Sequence, residues 1–205
     1  TFSALQEVLY PLSNRNIKAI SFSGQMHGLV MLDTNYKPVC PAIIWADQRS
    51  EKEVHFIREK LGSRLASIAG SDIATGFMGA SLCWVKNNHP DLYDQTRWVM
   101  LPKDYLKIKL GLTPSSDVAD AASTLLFDIN IRNWSEEIIK ELDLKPSLFP
   151  PIYESAHIIG SVSPSVQKEL GITGDALVIA GAGDQHCAAL GNGIINEGEV
   201  LITIG

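Results

Sequence analysis

The stretch that most constrains this chain is Ala176 to Ala189, A-L-V-I-A-G-A-G-D-Q-H-C-A-A. Ala176 to Ala180 is a short apolar run with β-branched Val178 and Ile179, and reads as a buried strand. Gly181, Ala182 and Gly183 let the backbone turn sharply and approach something closely. Asp184 stands at the tip, and Gln185 to Leu190 is small and helix-tolerant, so a helix begins there. This order puts one carboxylate at the C-terminal end of a sheet, where open α/β sheets bind ligands. Asp is also a favoured helix N-cap. The local sequence therefore leaves two roles open for Asp184, cap and catalytic group. A dinucleotide fingerprint fits poorly, because His186 stands where a third Gly or Ala belongs.

The 205 residues, 45% hydrophobic, suffice for one domain with a substantial core or two very small ones. A net charge of −6 and the absence of a Lys/Arg cluster argue against a nucleic-acid partner. Cys40, Cys83 and Cys187 are odd in number and share no metal-type spacing, so reduced thiols in a cytoplasmic setting are expected. No apolar run approaches a membrane span and no signal pattern opens the chain, so no membrane association is expected. The chain starts at Thr1 within an amphipathic pattern and stops at Gly205 after a strand-like run, Glu199 to Ile204. Both ends read as cuts in a longer protein.

Along the chain, helical spacing covers Thr1 to Leu12. Strands are predicted at 18–22, 29–33, 41–45 and 98–101. Helices are predicted from Ser50 to about Leu61, with Ser50 and Glu53 as a capping box, and at 80–87, 104–110, 135–142 and 166–170. Pro90 reads as a helix stop, and Ser135 as a cap. Strands alternate with helices throughout, so the class is α/β.

Three groups of residues bear chemistry. Gln25, Met26 and His27 sit at a strand-to-strand junction between two glycines. Met offers adaptable apolar contact and His both donates and accepts hydrogen bonds, which suits a polyol. A satisfied structural His beside a core Met is the other reading. Trp45, Asp47 and Arg49 combine an aromatic face, a carboxylate and a guanidinium, a set that holds sugars; a surface ion pair beside a core Trp is equally open. Phe77, after Gly76, either lines a cleft or joins the core. Asp117 and Asp120 read as turn and cap residues. His186 lies close to Asp184 in sequence, but on one helical turn their side chains diverge. No metal-site or nucleophile motif occurs.

Taken together, S-G-Q-M-H-G at 23–28, P-A-I-I-W-A-D-Q-R at 41–49 and A-G-A-G-D-Q at 180–185 resemble the FGGY carbohydrate kinases. L-P-K-D-Y-L at 101–106 and D-A-A-S-T-L-L-F-D at 120–128 resemble the same family, so the likeness spans nearly the whole chain in order. Q-M-H-G points to the branch acting on xylulose, while Asp184-Gln185 is a form also seen in the glycerol branch. Gluconate, ribulose or glycerol is therefore an alternative substrate, and a non-catalytic sugar-binding module an alternative function. The resemblance implies a ribonuclease H-like domain of the actin and hexokinase superfamily, with a mixed sheet and flanking helices. Residues 1–205 would form most of the N-terminal sugar-binding domain. It further implies that Met26 and His27 contact the ketose and that Asp184 is the catalytic aspartate. Gln25, Trp45, Asp47, Arg49 and Phe77 join them as substrate-side candidates, and Gly205 would open a phosphate loop. The implied partners are a small-molecule sugar and ATP, with Mg2+ held mostly by parts outside this chain and a homodimer allowed. The fragment alone is expected to be inactive.

Overall fold

A computed structural model describes residues 2–12 and 15–202. Helix α1 (Phe2–Leu9) buries Leu9 on its inner face. Two short strands follow: β1 (Ala19–Ile20), within the predicted strand at 18–22, and β2 (Ser23–Gly24), in the stretch read as a junction. Strand β3 (Val30–Leu32) is buried on both faces. The strand predicted at 41–45 is absent as such. Only a bridge between Leu29 and Ile43 forms there, because Ile44 and Trp45 turn out to solvent and give the run no second buried position.

Four helices come next: α2 (Glu51–Leu61), α3 (Ser63–Ala69), α4 (Met78–Asn88) and α5 (Pro90–Gln95). Pro90 opens α5 rather than merely ending α4, since its fixed φ and missing N–H suit a first helical position. The capping box is also corrected. Ser50 makes no side-chain cap, and Glu53 is turned into the interior, where its Oε1 accepts a 3.2 Å hydrogen bond from Asn87 of α4.

Strand β4 (Trp98–Met100) leads into α6 (Pro102–Lys109). After β5 (Ser116–Asp117) comes α7 (Val118–Ala122), N-capped by Asp117, whose carboxylate accepts from the backbone N–H groups of Ala119 and Asp120. Strands β6 (Phe127–Asp128) and β7 (Asn133–Trp134) precede α8 (Glu136–Glu141), which Ser135 caps as expected. The rest is β8 (Ile152–Tyr153), β9 (Ile158–Ser161), α9 (Pro164–Leu170), β10 (Leu177–Ile179), β11 (Ala182–Gly183) and α10 (Asp184–Gly191). Residues 199–202 carry no strand. The remainder of that expected strand, with Gly205, lies outside the described residues.

The site is positioned by two chain segments running side by side. β1 pairs parallel with β10, Ala19 opposite Leu177, and β10 pairs antiparallel with β9 on its other edge. β2 pairs parallel with β11, Gly24 opposite Gly183. Between the two ladders the second segment gains one residue. Gly181 accommodates it at φ 83°, and a Cβ there would stand 2.5 Å from the Phe22 carbonyl oxygen, so only glycine fits. Val178 and Ala176 are wholly buried with Leu170 and Val162 beneath the strands, and burying each large aliphatic side chain contributes roughly 1.5–3 kcal/mol. A second, larger cluster joins α2 and α4 to β3 and β4. The class is mixed α/β, as predicted.

Candidate functional site

The chain after β2 and the chain after β11 emerge at the same edge, at the carboxyl ends of adjacent parallel strands. There Gln25, Met26, His27, Trp45, Asp184 and Gln185 line one cleft of about 270 Å³. Asp184 is the first residue of α10, and the cap position is Gly183. Its carboxylate is not used as a cap, so the capping role left open by the sequence is not the one observed.

His27 is held unusually. Its φ is 69°, and the Gly28 N–H donates to the Met26 carbonyl across it at 2.8 Å. This is a γ-turn of the rare positive-φ kind, a conformation costing on the order of 1–3 kcal/mol for a side-chain-bearing residue. The ring stacks flat on Phe77, centroids 3.9 Å apart and planes 5° from parallel. Its Nδ1 lies 2.7 Å from the Ser123 carbonyl oxygen. Burial lowers the His27 pKa below its ordinary 6.5, against opposing pulls from that carbonyl and from Asp184. Phe77 thus reaches the site through His27 rather than by lining the cleft. Met26 packs on the opposite turn: a Cβ on Gly183 would lie 2.6 Å from Met26 Cγ.

Asp47 and Arg49 are not brought to this cleft. They form a 2.7 Å ion pair with each other, and the Arg49 guanidinium sits over the Trp84 ring, 4.9 Å from its centre. This is the surface-pair reading, whereas Trp45, 57% exposed, is in the cleft and not in the core.

Below the site lies a charge cluster that the sequence reasoning missed. Lys103 contacts Asp104 at 2.6 Å, Asp117, and Asp120 at 3.3 Å, while Lys107 contacts Asp104 at 2.7 Å. All five side chains are buried. Asp120 is therefore neither a turn nor a cap residue. A signal was present: Lys103 and Lys107 stand four apart around Asp104, a spacing that puts both ammonium groups on one helix face.

Among the described residues no group of three or more His, Cys, Asp or Glu side chains is placed to hold a metal ion. No described helix is long and apolar enough to cross a membrane.

The sheet is mixed, and one carboxylate, Asp184, stands in a polar cleft at the ends of two parallel strands. The description "FGGY family of carbohydrate kinases, N-terminal domain" matches residues 1–191. A xylulose kinase of Lactococcus lactis is 39% identical over 98% of this chain and 42% of its own length. A solved structure titled as a "xyloylose kinase" from Brucella ovis superimposes with a TM-score of 0.87 at 32% identity, over 97% of this chain and 40% of that one. A ligand-bound xylulose kinase from Lactobacillus acidophilus gives 0.86 at 26% identity, over 95% of this chain and 40% of that one. The chain belongs to the FGGY family of carbohydrate kinases, and its fold is the ribonuclease H-like one expected. It spans less than half the length of these relatives.

Proposed function

We propose that the chain supplies the sugar side of an ATP-dependent kinase that phosphorylates a hydroxyl of D-xylulose to give D-xylulose 5-phosphate. The observation that supports this most is the convergence of Asp184 with Met26 and His27 in one cleft at the ends of adjacent parallel strands. The relatives' name, xylulose kinase, supports the choice of sugar.

In this reading the sugar hydroxyl donates to the Asp184 carboxylate. Asp184 takes the proton as the hydroxyl oxygen bonds to the γ-phosphorus of ATP, and the bond to the departing ADP oxygen breaks. His27, Met26 and Gln25 hold the sugar, with Trp45 as an apolar wall and Phe77 fixing the imidazole plane. Asp47 and Arg49 take no part. Mg2+ entering with ATP would offset charge on the phosphates.

The test is ADP release by the full-length protein with ATP and a panel of xylulose, ribulose, gluconate and glycerol. Xylulose should give the highest kcat/KM. A tenfold preference for gluconate or glycerol overturns the substrate, and no ADP release with any of the four overturns the reaction.

A further inference from the structure

The buried polar groups beneath the cleft form a continuous string that the proposed reaction does not use. It begins at the Lys103 ammonium, 3.3 Å from Asp120 Oδ2. The Ser123 hydroxyl donates to the Asp120 carbonyl at 2.6 Å and lies 3.3 Å from Asp120 Oδ1. The same hydroxyl accepts the His27 backbone N–H at 3.2 Å, and the Ser123 carbonyl accepts Nδ1–H of the His27 ring at 2.7 Å. Its first two members, Lys103 and Asp120, are packed tightly against the site's strands. A Cβ on Gly24 would lie 2.9 Å from Lys103 Cβ, and one on Gly183 would lie 3.2 Å from Asp120 Oδ1.

A positive-φ turn at a non-glycine residue persists only where its surroundings over-determine it. At His27 two of those constraints come from one residue, Ser123, which grips both the backbone N–H and the ring. Ser123 is in turn fixed by Asp120, and Asp120 by Lys103. Two ammonium groups face three carboxylates in this cluster, so one carboxylate lacks a full counter-charge. Burial pushes Asp120 up to about 7.

We propose that Asp120 and Ser123 are positioning residues for His27, clamping its turn and so fixing the imidazole edge that meets the sugar. The kinetic consequence rests on the sugar-binding reading above; the clamping itself does not.

The experiment uses the full-length protein with 15N-labelled histidine, and Ser123→Ala, Asp120→Asn and His27→Ala singly, with Ser123→Ala and His27→Ala combined. Losing one partly buried hydrogen bond should raise the xylulose KM about 3- to 10-fold in Ser123→Ala, with a smaller change in kcat. Both Ser123→Ala and Asp120→Asn should move the His27 imidazole 15N signals. In the His27→Ala background the Ser123 effect on KM should vanish. His27 signals unmoved by Ser123→Ala overturn the clamp. Signals unmoved by Asp120→Asn overturn the role given to Asp120. An equal Ser123 effect on KM with and without His27 shows a merely structural contribution and overturns the proposal. If His27→Ala itself leaves the xylulose KM unchanged, the sugar-contact reading fails instead, and the 15N signals alone decide the clamp.

Discussion

Nδ1 of His27 lies 2.7 Å from the backbone carbonyl oxygen of Ser123. A carbonyl oxygen only accepts, so the ring proton is assigned to Nδ1 and, in the neutral imidazole, Nε2 is left as an acceptor. Burial favours that neutral form. The other edge of the ring therefore presents a hydrogen-bond acceptor.

This tautomer has a pH signature. The folded pKa of His27 lies below the ordinary 6.5. Xylulose KM should stay flat from about pH 8 down to 6.5 and rise only below that, as Nε2 is protonated. The stability sign is the same. Just below pH 6.5 the unfolded chain binds the proton and the folded one does not, so this group's contribution is present above the window and is lost as pH falls through it. A xylulose KM that already rises between pH 8 and 7 contradicts the assignment.

Asp184→Asn should separate chemistry from binding. Asn matches the size of Asp and removes the ionisable carboxylate proposed as the base. The full-length variant should keep its sugar affinity, read by calorimetry, while kcat falls by roughly 10²–10⁴-fold. Retention of kcat within about threefold, well short of the general-base range, would place the base elsewhere.

Asp120→Asn should flatten the pH dependence of stability. The folded carboxyl titrates near 7 against an ordinary 3.8. Between those values the folded state keeps a proton that the unfolded chain has released. Its contribution is thus full at low pH and is lost as pH rises through about 7. Relative to the Asn variant, the parent should lose more than about 1.4 kcal/mol between pH 4 and pH 8. Denaturant titrations at both pH values supply the comparison; parallel curves refute it.

Gly76→Ala should destabilise the fold. Gly76 has φ 77°, and a Cβ there would stand 2.0 Å from the Trp45 carbonyl oxygen. Backbone strain alone is on the order of 1–3 kcal/mol, so Tm should fall by at least about 3 °C. An unchanged melting curve would show that the loop yields freely.

The strand, glycine turn and Asp184 were legible because each rests on local chemistry: a β-branched apolar run, a residue free to take positive φ, a helix-tolerant tail. The Ser135 cap was legible for the same reason. What escaped was set by packing. Ser50 and Glu53 have capping-box spacing, yet Glu53 is drawn inward to Asn87. β9 is held by pairing with the edge of β10 and carries little signal of its own. Asp47 and Arg49 stand near Trp45 in sequence, but their mutual ion pair turns them away from the cleft. Asp120 looked like a turn residue, because nothing nearby in the chain shows that Lys103 lies against it.

The tight seat of Met26 against Gly183 bears on how such a chain can vary over generations. A methyl group added at position 183 meets Met26 Cγ at 2.6 Å, its tightest contact, so a smaller residue at 26 removes the main obstacle. The reverse order is open, since a smaller residue at 26 merely leaves a gap. Substitution at these two positions is therefore directional: change is easier at the turn that carries Met26 before the turn that carries Asp184.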